Sequence, residues 1–269
     1  MNDPESLRQN HEHVLARIAR ACDAAGRARD SVRLLAVSKT FPAADVLALA
    51  ACGQRAFGEN YLQEALDKIA ACRDERLPGS TGRSAPDVAP AHARATVGTT
   101  AGAQEPPGSP LEWHFIGPVQ SNKTKPIAEH FAWLHSLDRA KIAHRLADQR
   151  PAHLGALQVC IQVNVSGEAS KSGVAPADAR TLAALCATLP MLRLRGLTAI
   201  PEPTDDEALQ RRRFAQLRIL HEEIRSRLEP EAAAGFDTLS MGMSGDLEAA
   251  IAEGATIVRI GTALFGRRQ

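Results

Sequence analysis

The chain has 269 residues, 44% hydrophobic and 23% charged, which suits one large soluble globular domain or two small ones. Its formal net charge of +1 carries no electrostatic footprint for nucleic acid, and no polybasic segment marks a membrane surface. The five scattered cysteines form no C-x-x-C, and their odd number argues against a disulfide framework, so they read as small buried hydrophobes of a reducing compartment.

The first twenty residues are polar and charged, without the apolar core of a signal peptide, and no apolar run is long enough to span a bilayer. A cytoplasmic protein is expected. Leu7, Val14, Ile18 and Cys22 recur at helical spacing over residues 4–26, with Gly26 as the stop. Val32 to Lys39 follows as a strand apolar on both faces, as in a covered parallel sheet. It ends abruptly in Lys39. Such a lysine either snorkels to the rim, the reading this stretch alone favours, or is a desolvated amine able to form a Schiff base with a carbonyl. Pro42 then opens a helix over residues 43–52.

Arg55 to Glu59 reads as a second strand, and Asn60 as either the N-cap of a helix over residues 61–72 or a ligand contact. Pro78 to Pro110 holds six prolines, five glycines and seven alanines, with no Leu, Ile, Met or aromatic residue. It offers no hydrophobic face to bury, and residues 74–111 are expected to be a disordered insertion. Six further strands are expected at residues 113–117, 133–136, 157–165, 194–200, 236–240 and 256–261. Helices are expected over 120–129, 138–149, 176–189, 205–228 and 246–253, with 262–268 closing the chain. Eight strands alternating with helices predict a single α/β domain, a (β/α)8 TIM-like barrel with an extra N-terminal helix. Barrels of this kind place their sites at the carboxyl ends of the strands.

Polar and glycine-rich residues gather at those ends. Ser244 lies where a helix begins after the seventh strand, and either caps it or faces an anion. Asp246 and Glu248 in the same turn would repel a phosphate unless they point outward. After the eighth strand, Gly261 allows close approach to the backbone and Thr262 adds a hydroxyl. Arg259 shares the parity of Gly261, so it faces the barrel mouth and needs a partner, either a ligand or a salt bridge to Glu59 or Glu202. Met241 and Met243 read as packing residues. The nine histidines read as surface and helix residues, and no metal site is expected.

Seven motifs taken together resemble the pyridoxal phosphate homeostasis protein family. They are residues 34–40 (LLAVSKT), 57–61 (FGENY), 113–118 (WHFIGP) with 120–123 (QSNK), 170–173 (SKSG), 194–197 (LRGL), 239–244 (LSMGMS) and 258–262 (VRIGT). The resemblance covers nearly the whole chain apart from the insertion. It implies a fold similar to the barrel domain of alanine racemase, without that enzyme's second domain. It implies pyridoxal 5′-phosphate bound as a Schiff base to Lys39, with the phosphate near Ser244, Gly261 and Thr262. Arg259 would approach the pyridine nitrogen, and Asn60 would lie beside the cofactor. The implied role is non-catalytic: a carrier or regulator, expected here as a monomer, that makes the cofactor available to client pyridoxal phosphate enzymes. A pyridoxal phosphate-dependent amino-acid racemase is the alternative. An arginine at the pyridine nitrogen makes the ring a poorer electron sink. A racemase also needs an acid–base group opposite the lysine, and this chain has a single tyrosine, Tyr61.

Overall fold

The computed structural model describes residues 2–74, 110–166 and 172–266. The proposed insertion falls almost wholly outside these residues, as do Ser170 and Lys171 of the SKSG motif.

Eight parallel strands close on themselves in chain order. They are β1 (Arg33–Val37), β2 (Ala56–Glu59), β3 (Glu112–Phe115), β4 (Trp133–Leu137), β5 (Leu157–Gln162), β6 (Leu192–Thr198), β7 (Thr238–Ser240) and β8 (Ile257–Ile260). The seam is a register of Arg33 with Ile257 through Ala36 with Ile260. β3 pairs with β2 from Ala56 opposite Glu112 to Glu59 opposite Phe115. The barrel expectation holds.

Around it stand α2 (Ala43–Ala51), α3 (Leu62–Asp74), α4 (Thr124–His130), α5 (Ala140–Gln149), α6 (Pro176–Ala187), α7 (Glu207–Arg225), α8 (Pro230–Gly235), α9 (Leu247–Ala252) and α10 (Thr262–Phe265). The extra N-terminal helix α1 (Pro4–Ala24) starts on an Asp3 carboxylate that accepts the Ser6 N–H, and it packs on α2, α9 and α10. Pro126 is accommodated because it stands in the first turn of α4, where its missing N–H costs no helix bond.

The alternation along each strand divides the apolar residues in two. Leu34, Ala36, Phe57, Phe115 and Leu134 join the large cluster beneath the helices. Leu35, Ala56, Trp133, Cys160 and Ile257 form a small cluster inside the barrel. Two register shifts interrupt the ladders, one between Leu134 and Leu137 and one at Val159 and Cys160.

Several expected boundaries move. β1 ends at Val37, so Lys39 stands in the turn beyond the strand. β7 begins at Thr238, since Phe236 and Asp237 form the link between the short α8 and the strand. Cys52 is only half-buried, unlike the other four cysteines.

Candidate functional site

Because all eight strands are parallel, their carboxyl ends open at one end of the barrel. Four neighbouring strands in the closed order, β7–β8–β1–β2, bring the proposed residues there. Arg259 lies in β8, and Ser244, Gly261 and Thr262, Lys39, and Asn60 follow β7, β8, β1 and β2 in turn.

Lys39 is half-buried. Thr40 beside it adopts φ +69°, the left-handed region that costs a residue with a Cβ. Three bonds hold this turn: Phe41 N–H to Ser38 O at 3.1 Å, Thr40 N–H to Glu64 Oε1 at 2.6 Å, and Lys68 Nζ to Ser38 O at 2.7 Å. Below it is a buried ionic knot. Glu59 Oε1 accepts from Ser38 Oγ at 2.6 Å and from Lys68 Nζ at 2.7 Å. The Glu59 and Lys68 side chains are 0% and 4% exposed. Burial pushes the Glu59 carboxyl above its ordinary pKa, against the opposing charge of Lys68. Sequence alone does not single out Lys68, which reads as one more polar residue of α3.

Asn60 does not occupy the N-cap position of α3. The helix begins at Leu62, which puts Tyr61 there. The Asn60 backbone is instead pressed against Gly117, where an added Cβ would come within 2.1 Å of Asn60 O.

The β7 and β8 turns meet. Ser244 Oγ accepts the Ala263 N–H at 3.4 Å, so Ser244 reaches across to α10 rather than capping its own helix. α9 and α10 have six and four residues, so local N–H groups and hydroxyls, more than a helix dipole, define this corner. The two acidic residues of the turn are engaged. Asp246 Oδ1 accepts the Met243 N–H, and Glu248 turns outward to Arg17 at 2.9 Å. Arg17 also donates to Ser244 O at 3.2 Å, which fixes the turn from outside. Met241 is buried, and Met243 partly so.

Gly261 sits beside β1: an added Cβ would lie 3.4 Å from Val37 O. Phe41 stacks on Phe265 with centroids 4.7 Å apart, tying the Lys39 loop to α10. Thr262 is exposed.

Arg259 is 4% exposed and sits inside the barrel, as its parity suggested. Its described bonds go to neither Glu59 nor Glu202. Nη1 donates to Ser240 Oγ at 2.8 Å and Nη2 to Ala199 O at 2.9 Å. Burial lowers its pKa to about 10, with Asp246 the main opposing charge.

The histidine expectation fails at two positions. His11 and His221 are helix residues, on the buried faces of α1 and α7, but His114 and His135 are strand residues inside the barrel. Finding the last two required the register of β3 and β4. His114 stacks on Trp133 with an interplanar angle of 8°, and bonds His135 at 2.8 Å. Among the described residues no cluster of three or more His, Cys, Asp or Glu could hold a metal, and no helix is long and apolar enough to cross a membrane.

Residues 10–269 match the family model described as alanine racemase, N-terminal domain. Over 263 residues the chain is 54% identical to the pyridoxal phosphate homeostasis protein of Pseudomonas aeruginosa, covering 98% of this chain and 96% of that one. Over 268 residues it is 45% identical to the Escherichia coli K12 protein of the same name, covering 100% and 98%. Among solved structures, PipY of Synechococcus elongatus with PLP bound is 33% identical at a TM-score of 0.69, covering 93% of this chain and all of that one. Alanine racemase of Corynebacterium glutamicum shares the fold at 15% identity and a TM-score of 0.62, and the match spans 61% of that chain.

Proposed function

The chain belongs to the pyridoxal phosphate homeostasis protein family, and from that premise we propose that it binds pyridoxal 5′-phosphate on Lys39 and holds it for storage or delivery. The observation that carries this reading is the convergence of an amine, a buried guanidinium and two hydroxyl-bearing turns on four adjacent strands.

The donor set fits the cofactor. Lys39 supplies the amine that tethers its carbonyl. Ser244, Thr262 and the backbone at Gly261 offer hydroxyl and N–H groups to a phosphate; Glu248 turns out to Arg17, while Asp246 stays in the turn on the Met243 N–H. Arg259 lies inside the mouth as a cation for the pyridine nitrogen, and Asn60 flanks the site. When bound, the cofactor supplies carbonyl chemistry and, in enzymes, an electron sink. A guanidinium at the ring nitrogen keeps that nitrogen unprotonated and weakens the sink, which favours holding over turnover.

The racemase alternative asks for a proton-handling group opposite Lys39. Tyr61, the chain's one tyrosine, is 54% exposed at the start of α3. We therefore read the protein as non-catalytic, handing its cofactor to client pyridoxal phosphate enzymes in the cytoplasm. Among the described residues the large exposed apolar side chains are Tyr61, Ile200 and Ile219, little for an apolar interface, and we read the protein as a monomer.

Loaded protein incubated with a panel of single-enantiomer amino acids should show no racemisation above free cofactor. Racemisation that disappears in Lys39→Ala would establish an enzyme instead.

A further inference from the structure

Arg259 is a buried cation whose described hydrogen-bond acceptors are both neutral, a serine hydroxyl and a backbone carbonyl. The carbonyl has no choice of role. The hydroxyl does: Ser240 Oγ offers its lone pairs to Arg259 only while its own proton is committed elsewhere.

What commits it is a row of side chains crossing the barrel interior. Ser240 Oγ lies 2.8 Å from His135 Nδ1, His135 Nε2 lies 2.8 Å from His114 Nδ1, and His114 Nε2 lies 2.6 Å from Glu112 Oε1. The row ends on Arg33, whose Nη1 donates to the same Glu112 oxygen at 2.6 Å. Glu112 starts β3 and Arg33 starts β1, at the barrel end opposite Lys39.

With both rings neutral, one assignment of protons satisfies every contact. Burial raises the Glu112 pKa, but the Arg33 charge and the His114 bond outweigh it and hold the carboxyl at about 2, so Glu112 only accepts. His114 then carries its proton on Nε2 and accepts at Nδ1. His135 consequently carries its proton on Nε2 and accepts at Nδ1. Ser240 must donate there, which turns its lone pairs to Arg259. Burial lowers both imidazole pKa values, which suits the neutral rings this assignment needs. Besides Glu112 itself, the charges that bear on the two imidazoles are Arg33 and Arg259; Arg195 lies over the Trp133 ring beside His114, and Thr198 donates to the Ser240 carbonyl. Polarised in one direction, such a chain strengthens each of its bonds.

We propose that Glu112, His114, His135 and Ser240 form a positioning relay that orients Arg259 at the pyridine nitrogen from the far end of the barrel. The four act on the cofactor only through Arg259. The proposal deepens the cofactor reading and rests on it for its final effect, but the proton assignment stands independently.

The test has two parts. Long-range 1H–15N spectra of the unloaded protein should show His114 and His135 neutral, protonated on Nε2, and not titrating between pH 6 and 8. A proton on Nδ1 of either ring, or titration in that range, overturns the relay. The second part compares wild type with Ser240→Ala and with His114→Phe, which keeps a ring against Trp133 but loses both nitrogens. Both should still be trapped on Lys39 by borohydride, yet show a displaced visible cofactor band and about tenfold weaker retention, the scale of an orienting partner behind a direct ligand. Should His114→Phe fail to fold, Glu112→Gln takes its place with the same expectation. A remote variant with wild-type band and retention overturns the relay and leaves Ser240 as a local contact. If wild type itself yields no adduct on Lys39, the cofactor reading fails, and the ring tautomers alone decide the relay.

Discussion

Lys68 ties the turn that carries Lys39 to the barrel wall. It donates at once to Ser38 O, Glu59 Oε1 and Glu64 Oε1, and so joins the end of β1 to β2 and α3. Removing one partner of a buried ion pair strands the other charge. Lys68→Met is expected to cost about 3–5 kcal/mol in urea unfolding, with Glu59→Gln restoring part of the loss in the double variant. An additive double variant would mean that the pair is not coupled. At this scale the sequence was uneven. Lys39 was conspicuous because an apolar run stopped at a charge. Lys68 was hidden in an ordinary helix, and the two interior histidines were hidden because only strand register tells which side of a barrel wall a residue faces.

Close backbone approach between β2 and β3 is what sets Asn60. Gly117 leaves room for the Asn60 carbonyl, and a methyl group there would meet backbone that cannot rotate away. Gly117→Ala should therefore destabilise the protein by about 1–3 kcal/mol in chemical unfolding and weaken cofactor retention. Gly245→Ala, where an added Cβ meets nothing within 4 Å, should stay within about 0.5 kcal/mol of wild type. Elements were legible wherever a hydrophobic period ran long enough. The start of β7 was not, because the apolar Phe236 reads as part of the strand although the ladder begins only at Thr238. The end of β1 was misplaced because Ser38 and Lys39 keep the strand's parity while the backbone already turns at Thr40.

For the molecule as a whole, buried neutral histidines tie stability to pH. Burial lowers the pKa of His11, His114, His135 and His221, the last to about 4. Between a depressed folded value and the ordinary 6.5, the unfolded chain binds protons that the folded chain refuses. Stability is therefore complete above about pH 6.5 and declines as pH falls, by roughly 1.4 kcal/mol per unit for each such group. His221 stacks on Phe236 at 4.4 Å, and its Nε2 is buried without a hydrogen-bond partner among the described residues. His221→Phe keeps the ring and removes the unsatisfied nitrogen. Its melting temperature should match or exceed wild type at pH 7.5 and fall less steeply toward pH 5, whereas an unchanged slope would show that His221 is not among the groups responsible. The barrel itself was legible because eight βα alternations leave few other closures. The relay through its interior was not, because it joins residues of β3, β4 and β7, far apart in the chain, to Arg259 on β8.

The central claim is that Lys39 tethers the cofactor. Protein loaded with pyridoxal 5′-phosphate, reduced with borohydride and digested, should carry a phosphopyridoxyl mass on the peptide containing Lys39 as the dominant adduct, and Lys39→Ala should lose both the adduct and the visible band. Dominant modification of another lysine, or a band that survives Lys39→Ala unchanged, would contradict the account.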